Sequence, residues 1–441
     1  MKKIVLSLFV FAISANIVAA DHVMAATKRA PEKEVPATLN LSLQEAQDYA
    51  VAENRSLRNA DLAVQKAYAT RWQTIASMLP SVDMSWAYQS MMGYKMNFGG
   101  MPIEMPDNGT FGITASVGIN GQAIVGALLN NTAIEMQKLN LEISEDNLRA
   151  NVKSSYASVL VLEDVVKLLD NSLKNIEHLA AMTQRSVEVG AAEQTTADQI
   201  LVRVNTLKNN INANKRSTQL ALNALKVLLN VPAETELTLT TQLTDMLSAE
   251  AILTLLGQDF VLENNLSYQT LAKNVELAKK NVHMAGWAYG PTIGVGYQYS
   301  EKDYFGKKEG FNMTPPNALS IQVSMPLWSS GKRAAGVVEK KIALEEARNT
   351  FEETSDNLGI QNEQLRYNLQ NAFETYTNEQ ENIAVTQRVF DNTSRKFQQG
   401  VASNLDLVNA SNDLITAQST YVQAVLTLVN AEVELEKFLN L

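Results

Sequence analysis

The chain has 441 residues and a formal charge of −10, an acidic balance that argues against nucleic acid as a partner. It has no cysteine, which excludes disulfide scaffolds, cysteine zinc sites, thiol nucleophiles and a lipid-anchor cysteine. The three histidines, His22, His178 and His283, are widely scattered, so no metal site, cofactor or catalytic residue is expected.

Residues 1–20 read as a secretory signal: Lys2 and Lys3, the apolar run Ile4 to Ile13, then small residues. Cleavage fits Val18-Ala19-Ala20, with Ala26 as a second candidate, and residues 21–41 form a segment ahead of the first helix. No later stretch holds the roughly 20 apolar residues that a spanning helix needs. Membrane crossing by β-strands stays open, because their signal per segment is much weaker.

Ser42-Leu43-Gln44-Glu45 is a capping box and predicts a helix running to about Leu79, where Pro80 stops it. Val82, Met84, Trp86 and Tyr88 then alternate with Ser81, Asp83, Ser85 and Gln89, the period of a strand. After a loop over Met91 to Thr110, Phe111, Ile113, Ala115, Val117 and Ile119 alternate with Gly112, Thr114, Ser116 and Asn120. From Ala123 to Glu188 no proline intervenes, a helix roughly 100 Å long at 1.5 Å per residue. Leu148, Ser155, Leu162, Leu169 and Ile176 set one heptad register, and Val152, Val159, Val166, Leu173 and Ala180 the other. That spacing is the signature of a left-handed coiled coil. Gly190 ends the helix in a conformation cheap for glycine, and a return helix follows over Thr195 to Leu229.

The chain then says nearly the same thing again. Asn54 to Tyr88 lines up with Asn265 to Tyr299 at a shift of 211, and Gly190 to Asn230 with Gly400 to Asn440 at a shift of 210. The second copy predicts a helix from Phe260 to Tyr289, then strands on Ile293, Val295, Tyr297 and Tyr299 and on Leu319, Ile321, Val323, Met325 and Leu327. A loop over Glu301 to Asn317 separates those strands. A long helix over Lys332 to Gln399, the turn at Gly400 and a return helix over Leu405 to Leu439 complete it. The domains are thus repeats 42–230 and 258–441, with an insertion at 231–257 in which Leu237 to Thr240 reads as a strand and Ser248 as a cap.

Two shorter helices laid end to end match one long helix, which favours a layer of antiparallel helices with the glycine turns at one tip and the strands at the other. The helices carry more Asn, Gln, Ser and Thr than a dry bundle needs, favouring a wall wetted on both sides. Each strand is long enough to cross a bilayer at a tilt. Trp86, Tyr88, Trp287, Tyr289 and Trp328 fall on or beside the strands, where aromatic belts meet the membrane interface. Four strands cannot close a barrel, and an open edge in lipid leaves backbone groups unpaired. The chain must therefore oligomerise. Strand counting disfavours 8 strands and leaves 12 against 16 open.

Several phrases resemble the TolC-like outer membrane efflux protein family. They are Leu41-Ser42-Leu43-Gln44-Glu45-Ala46 with Ala50 and Asn54, Leu79-Pro80-Ser81, and Leu228-Leu229-Asn230-Val231-Pro232. The most specific is the run from Phe397-Gln398-Gln399-Gly400 through Asn404-Leu405-Asp406-Leu407-Val408-Asn409-Ala410. The resemblance spans residues 40 to 441 and implies an α+β membrane protein. Its long antiparallel coiled-coil helices would form a periplasmic α-barrel, and four strands per protomer would enter a shared 12-strand transmembrane β-barrel. It implies a homotrimer among outer membrane lipids, docked by a periplasmic membrane-fusion adaptor and, indirectly, by an inner-membrane pump of RND, ABC or MFS type. The function implied is the exit duct of an efflux or type I secretion system. A periplasmic coiled-coil adaptor or scaffold is the alternative; a hydrolase lacks any site.

The same resemblance places a periplasmic gate past the second glycine turn. Asp406 matches one acidic position, Phe397 an aromatic one, and Asn409 stands where better-known members carry a second aspartate. Asp413, two turns beyond Asp406, is a further candidate acid, while Thr196 replaces the acid in the first repeat. Gly190 with Ala191, and Gly400 with Val401, are the expected adaptor contacts.

Overall fold

The computed structural model describes residues 37–190, 192–305 and 315–441. The signal segment and Ala191 lie outside them. The chain divides into two compact units. One holds Asp61–Leu139 and Thr270–Glu352; the other holds Asn140–Gln269, Glu353–Leu441 and the residues leading up to Ala60.

The first unit contains one antiparallel sheet of β2 (Ser81–Gln89), β5 (Asn108–Asn120), β7 (Thr292–Tyr304) and β8 (Asn317–Ser324), in the spatial order β2-β5-β7-β8. The two hairpins of the repeat are joined by the long central pairing of β5 with β7, which runs from Asn108↔Tyr304 to Asn120↔Thr292. Register puts the expected alternation into one plane. Met84 pairs with Ile113 and Val82 with Ala115; Ala115 pairs with Tyr297, and Tyr297 with Leu319. Behind them the other face is Asp83, Thr114, Gln298 and Ala318 at one level and Ser116, Gly296 and Ser320 at the next. One face is therefore apolar across all four strands and the other polar or small. The apolar face is bare: Trp86, Leu319 and Ile321 are each 70% exposed. A 13-residue strand reaches roughly 40 Å, and at the usual tilt it crosses about one bilayer core.

Five expectations need correction here. Two concern strand ends: β8 stops at Ser324, short of Met325 and Leu327, and β7 takes in residues 301–304 from the expected loop. The segment over Met91 to Thr110 is not a plain loop: β3 (Lys95–Phe98) and β4 (Met101–Glu104) form a small hairpin turned by Gly99 and Gly100, both at positive φ. The first helix is broken into α1 (Leu43–Glu53) and α2 (Arg55–Ala76). Its counterpart α7 spans Leu266–Gly286 and does not begin at Phe260. Both changes have one cause. Asn54 leaves helical geometry, accepts Ser56 N–H (2.8 Å) and Leu57 N–H (3.2 Å) on Oδ1, and donates from Nδ2 to Leu228 O at 2.8 Å. Asn265 does the same with Ser267, Tyr268 and Phe438 O. Each asparagine caps one helix and hooks the end of another about 170 residues away.

The four long elements are α3 (Gly121–Glu188), α4 (Gln194–Leu228), α8 (Lys332–Gln398) and α9 (Asn404–Leu439), all within about two residues of the expected bounds at their tips; the second unit holds α4, α9, α3 from Asn140 on and α8 from Glu353 on. Leu148, Val152, Val159, Leu169 and Ile176 of the heptad registers are buried, but Ser155, Leu162, Val166, Leu173 and Ala180 are only half-buried. Tyr156, Leu160, Val165, Ser172 and Leu179 are buried in addition. The buried arc is wide because α3 meets two helices, α4 through Lys208–Glu177 and α9 through Lys153–Glu432.

The segment 21–41 ends in a strand, β1 (Thr38–Leu41), paired in parallel with β6 (Glu236–Leu239) of the insertion. Next to it lie the short helices α5 (Leu243–Met246) and α6 (Ala249–Leu256), the latter capped by Ser248 as expected. Tyr156, fully buried on α3, locks this small sheet: its hydroxyl donates to Leu41 O and accepts Thr241 N–H, both at 3.0 Å. Phenylalanine at Tyr156 keeps the packing but takes the acceptor from Thr241 N–H and leaves Leu41 O with Thr240 N–H alone, at 3.1 Å. The expected result is a loss of about 1–3 kcal/mol, read as a lowered thermal midpoint, with the sheet's amides exchanging first.

Candidate conduit wall and helical tips

Both glycine turns adopt the left-handed conformation, with φ of 75° at Gly190 and 73° at Gly400. At the second, Gly400 N–H reaches Phe397 O (2.9 Å) and Val401 N–H reaches Lys396 O (2.9 Å), which is the Schellman bond pair. Any residue with a Cβ is strained at these two positions, so they are needed to make the turn itself. Val401 is 73% exposed at the tip. Phe397 is half-buried and packs on the cluster that includes Val165, Leu169, Leu407 and Leu414.

Asp406 sits at the third position of α9 and closes a capping box. Its Oδ2 accepts from Ser403 N–H (2.9 Å) and Ser403 Oγ (2.7 Å), while Asp406 N–H donates to Ser403 Oγ (3.1 Å). Those bonds to Ser403 hold its carboxyl below the usual aspartate range. The group therefore stays charged through mild acid, and its contribution to the tip is lost only as pH falls through that lowered value.

Asp406, Asn409 and Asp413 all lie exposed on one stripe of α9, and the stripe does not stop there. At alternating steps of three and four it continues as Thr416, Thr420, Gln423, Thr427, Asn430 and Glu434, every one exposed. The opposite side of the helix is buried through Leu407, Leu414, Val425, Leu428 and Leu435. Thr416, Thr420 and Thr427 turn their hydroxyls onto carbonyls one turn back, at 2.8–3.0 Å. The result is a wettable face, with carboxylates at the tip and again at Glu434. Sequence reading found its first three members and missed the rest, although the same three-and-four spacing of polar residues was there to be counted.

The equivalent stripe on α4 differs in charge. At the shift of 210, Thr196 stands for Asp406, Gln199 for Asn409 and Arg203 for Asp413. The two repeats thus present unlike tips.

The five aromatics expected at the bilayer interface fall toward both ends of the sheet. Trp287 and Tyr289 form a single turn just before β7, and Trp328 follows β8 at the same end. The Arg333 guanidinium lies 5.0 Å from the Tyr289 ring centroid. Tyr88 lies near the other end, its ring 5.7 Å from that of Phe305, with Trp86 two residues further in. Among the described residues no helix is long and apolar enough to cross a membrane.

Comparison with known proteins agrees with this arrangement. Outer membrane efflux protein BepC of Brucella suis is 23% identical over 301 residues, covering 66% of this chain and 63% of its own length, under two thirds of that relative. The probable efflux pump outer membrane protein TtgC of Pseudomonas putida is 23% identical over 428 residues, covering 90% of this chain and 83% of that relative. Among solved structures, CusC superposes with a TM-score of 0.74 at 16% identity, covering 94% of this chain and 95% of its own. VceC of Vibrio cholerae superposes at 0.72 and 14% identity, covering 90% and 95%. Those likenesses establish the fold, an α-helical barrel unit with a β-barrel unit. The family described as outer membrane efflux protein matches residues 47–231 and 259–441, most of both repeats. The chain belongs to the outer membrane efflux protein family.

Proposed function

We propose that the chain is the outer membrane exit duct of a tripartite efflux or secretion system, passively conducting cargo delivered by an inner-membrane pump. The observation that carries this reading is the sheet: four strands, one face apolar across its middle with Asn317 and Glu301 toward one end, one polar face, and two open edges at β2 and β8. Such a sheet is stable in lipid only when its edges are closed by other copies. Three copies give 12 strands, the homotrimer. The polar stripe of α9 then lines the water-filled part of the duct, with Asp406, Asn409, Asp413 and Phe397 at its gate. Gly190, Ala191, Gly400 and Val401 present the tips to a periplasmic adaptor, and Trp86, Tyr88, Trp287, Tyr289 and Trp328 sit at the bilayer interfaces.

Reconstitution in planar bilayers tests the reading. The expected result is a trimeric, cation-preferring pore; a soluble monomer in the periplasmic fraction would sink it. Asp406→Asn removes the charge but keeps the shape, and is expected to lower cation selectivity. Because Asp406 titrates low, the wild-type selectivity should hold from neutral pH into mild acid. Reversal potentials unchanged by the substitution would leave Asp406 with its capping role alone.

A further inference from the structure

Five of the chain's 15 methionines fall between residues 91 and 105: Met91, Met92, Met96, Met101 and Met105. Methionine in a folded protein ordinarily fills gaps in a core. These do not. Met92 and Met101 are 92% and 73% exposed, Met96 is 38% exposed, and none of the five enters either buried cluster. They belong to the β3–β4 hairpin and the chain on either side of it, at the end of the sheet away from α2 and α3.

Register gathers three of the thioethers on one face. β3 and β4 pair from Lys95↔Glu104 to Phe98↔Met101. Met105 N–H donates to Tyr94 O at 2.9 Å, which carries the same register one pair further. Positions two apart on a strand share a face. Met96 therefore stands on one face with Met101 and Met105 as its two diagonal neighbours across the hairpin. Lys95, Asn97, Pro102 and Glu104 take the opposite face. Diagonal neighbours lie about 7–8 Å apart, within reach of long side chains, and the unbranched methionine side chain is free to turn its sulfur toward a shared point. The base of the hairpin is tied down by Asp107. Its Oδ1 accepts Met91 N–H (2.8 Å) and the Ser90 hydroxyl (2.9 Å), and its Oδ2 accepts the Tyr88 hydroxyl (2.9 Å).

We infer that Met96, Met101 and Met105 form a binding site for a soft monovalent cation, Cu(I) or Ag(I). Thioether sulfur is neutral and polarisable, so it suits soft cations and leaves hard ones such as magnesium and calcium to oxygen ligands. A face that needed apolar surface alone would be better served at these positions by Val, Ile or Phe, which favour strands; methionine gives up that preference and supplies sulfur. Among the described residues no cluster of His, Asp and Glu competes for a metal ion. The site lies within one chain, so it goes beyond the duct proposed above and does not depend on it.

Silver tests the site, because Ag(I) keeps its oxidation state without a reductant. In chloride-free buffer the detergent-purified full chain is expected to bind about one Ag(I) per copy, read by calorimetry. Thioethers have no proton to release, so the affinity should be the same at neutral pH and in mild acid, unlike that of imidazole or carboxylate sites. Zinc(II) should not compete. M96L/M101L/M105L keeps side-chain volume and should lose that ion, whereas M182L, on α3, should keep it. Uptake by the triple variant equal to wild type, or uptake lost in mild acid, overturns the site. A second measurement needs no variant. Bound Ag(I) should shield Met96, Met101 and Met105, but not Met182, from peroxide oxidation to the sulfoxide, read by mass spectrometry of the digested chain. Equal oxidation of the three with and without silver overturns the site, whatever the folding of the triple variant.

Discussion

Arginine at Leu319 is expected to abolish membrane insertion, whereas arginine at Gln322, three residues along the same strand, is expected to leave insertion intact. Leu319 lies on the apolar face of edge strand β8, opposite Tyr297 at mid-height of β7, and is 70% exposed in the single chain. Gln322 pairs with Gly294 on the polar face. A cationic side chain at the midplane of a lipid-facing strand costs about 2–4 kcal/mol, and three copies would pay it together. On the opposite face the same side chain meets water, so its effect should be confined to conductance and ion selectivity. Heat-modifiable mobility and protease protection in whole cells read insertion, and single-channel currents read the pore. Equal insertion of both variants would mean that the apolar face does not meet lipid.

Alanine at Asn265 is expected to give the largest destabilisation of any polar substitution in the helical unit, about 2–4 kcal/mol. Two losses add. The cap on Ser267 and Tyr268 disappears, and Phe438 O, held by Nδ2 at 3.0 Å in a buried setting, is left without a donor. Aspartate at the same position separates the two: it keeps the capping oxygen but cannot donate, so it should recover only part of the loss. Asn54→Ala removes the matching hook onto Leu228 but at a half-buried site, and a smaller effect is expected. A thermal midpoint unchanged in Asn265→Ala would show that packing of Leu266 and Phe438 alone holds the junction.

Both asparagines also mark where sequence reading fell short. An Asn followed by Ser within two residues is a fair helix-start signal. Apolar periodicity continues on either side of Asn54 and hides that signal, so the sequence predicts one helix where two are joined. Strand β1 was invisible for a different reason: four residues, Thr38 to Leu41, become a strand only by pairing with Glu236 to Leu239, nearly 200 residues on. Asp406 illustrates a third case. Its place at the tip was legible, but its bonds to Ser403 emerged only with the coordinates, and they give the carboxylate a structural role beside any role in the gate.

The sequence by itself determined the repeat, the lengths of the long helices, the glycine turns and the alternation of the four strands of the large sheet. Each of these depends on preferences acting within a turn or between neighbouring residues, and those are written locally. Only the tertiary structure decided the order of the strands, the order of the helices, and therefore which edges stay open. Order is set by which distant segments find matching faces, and a duplicated chain offers two near-identical partners for every face. What breaks the tie is where the repeats differ, as at Gln418 against Lys208, Ser172 against Asn382 and Asp413 against Arg203. Gln418 and Ser172 meet and are buried inside one chain, whereas their counterparts Lys208 and Asn382 stay exposed.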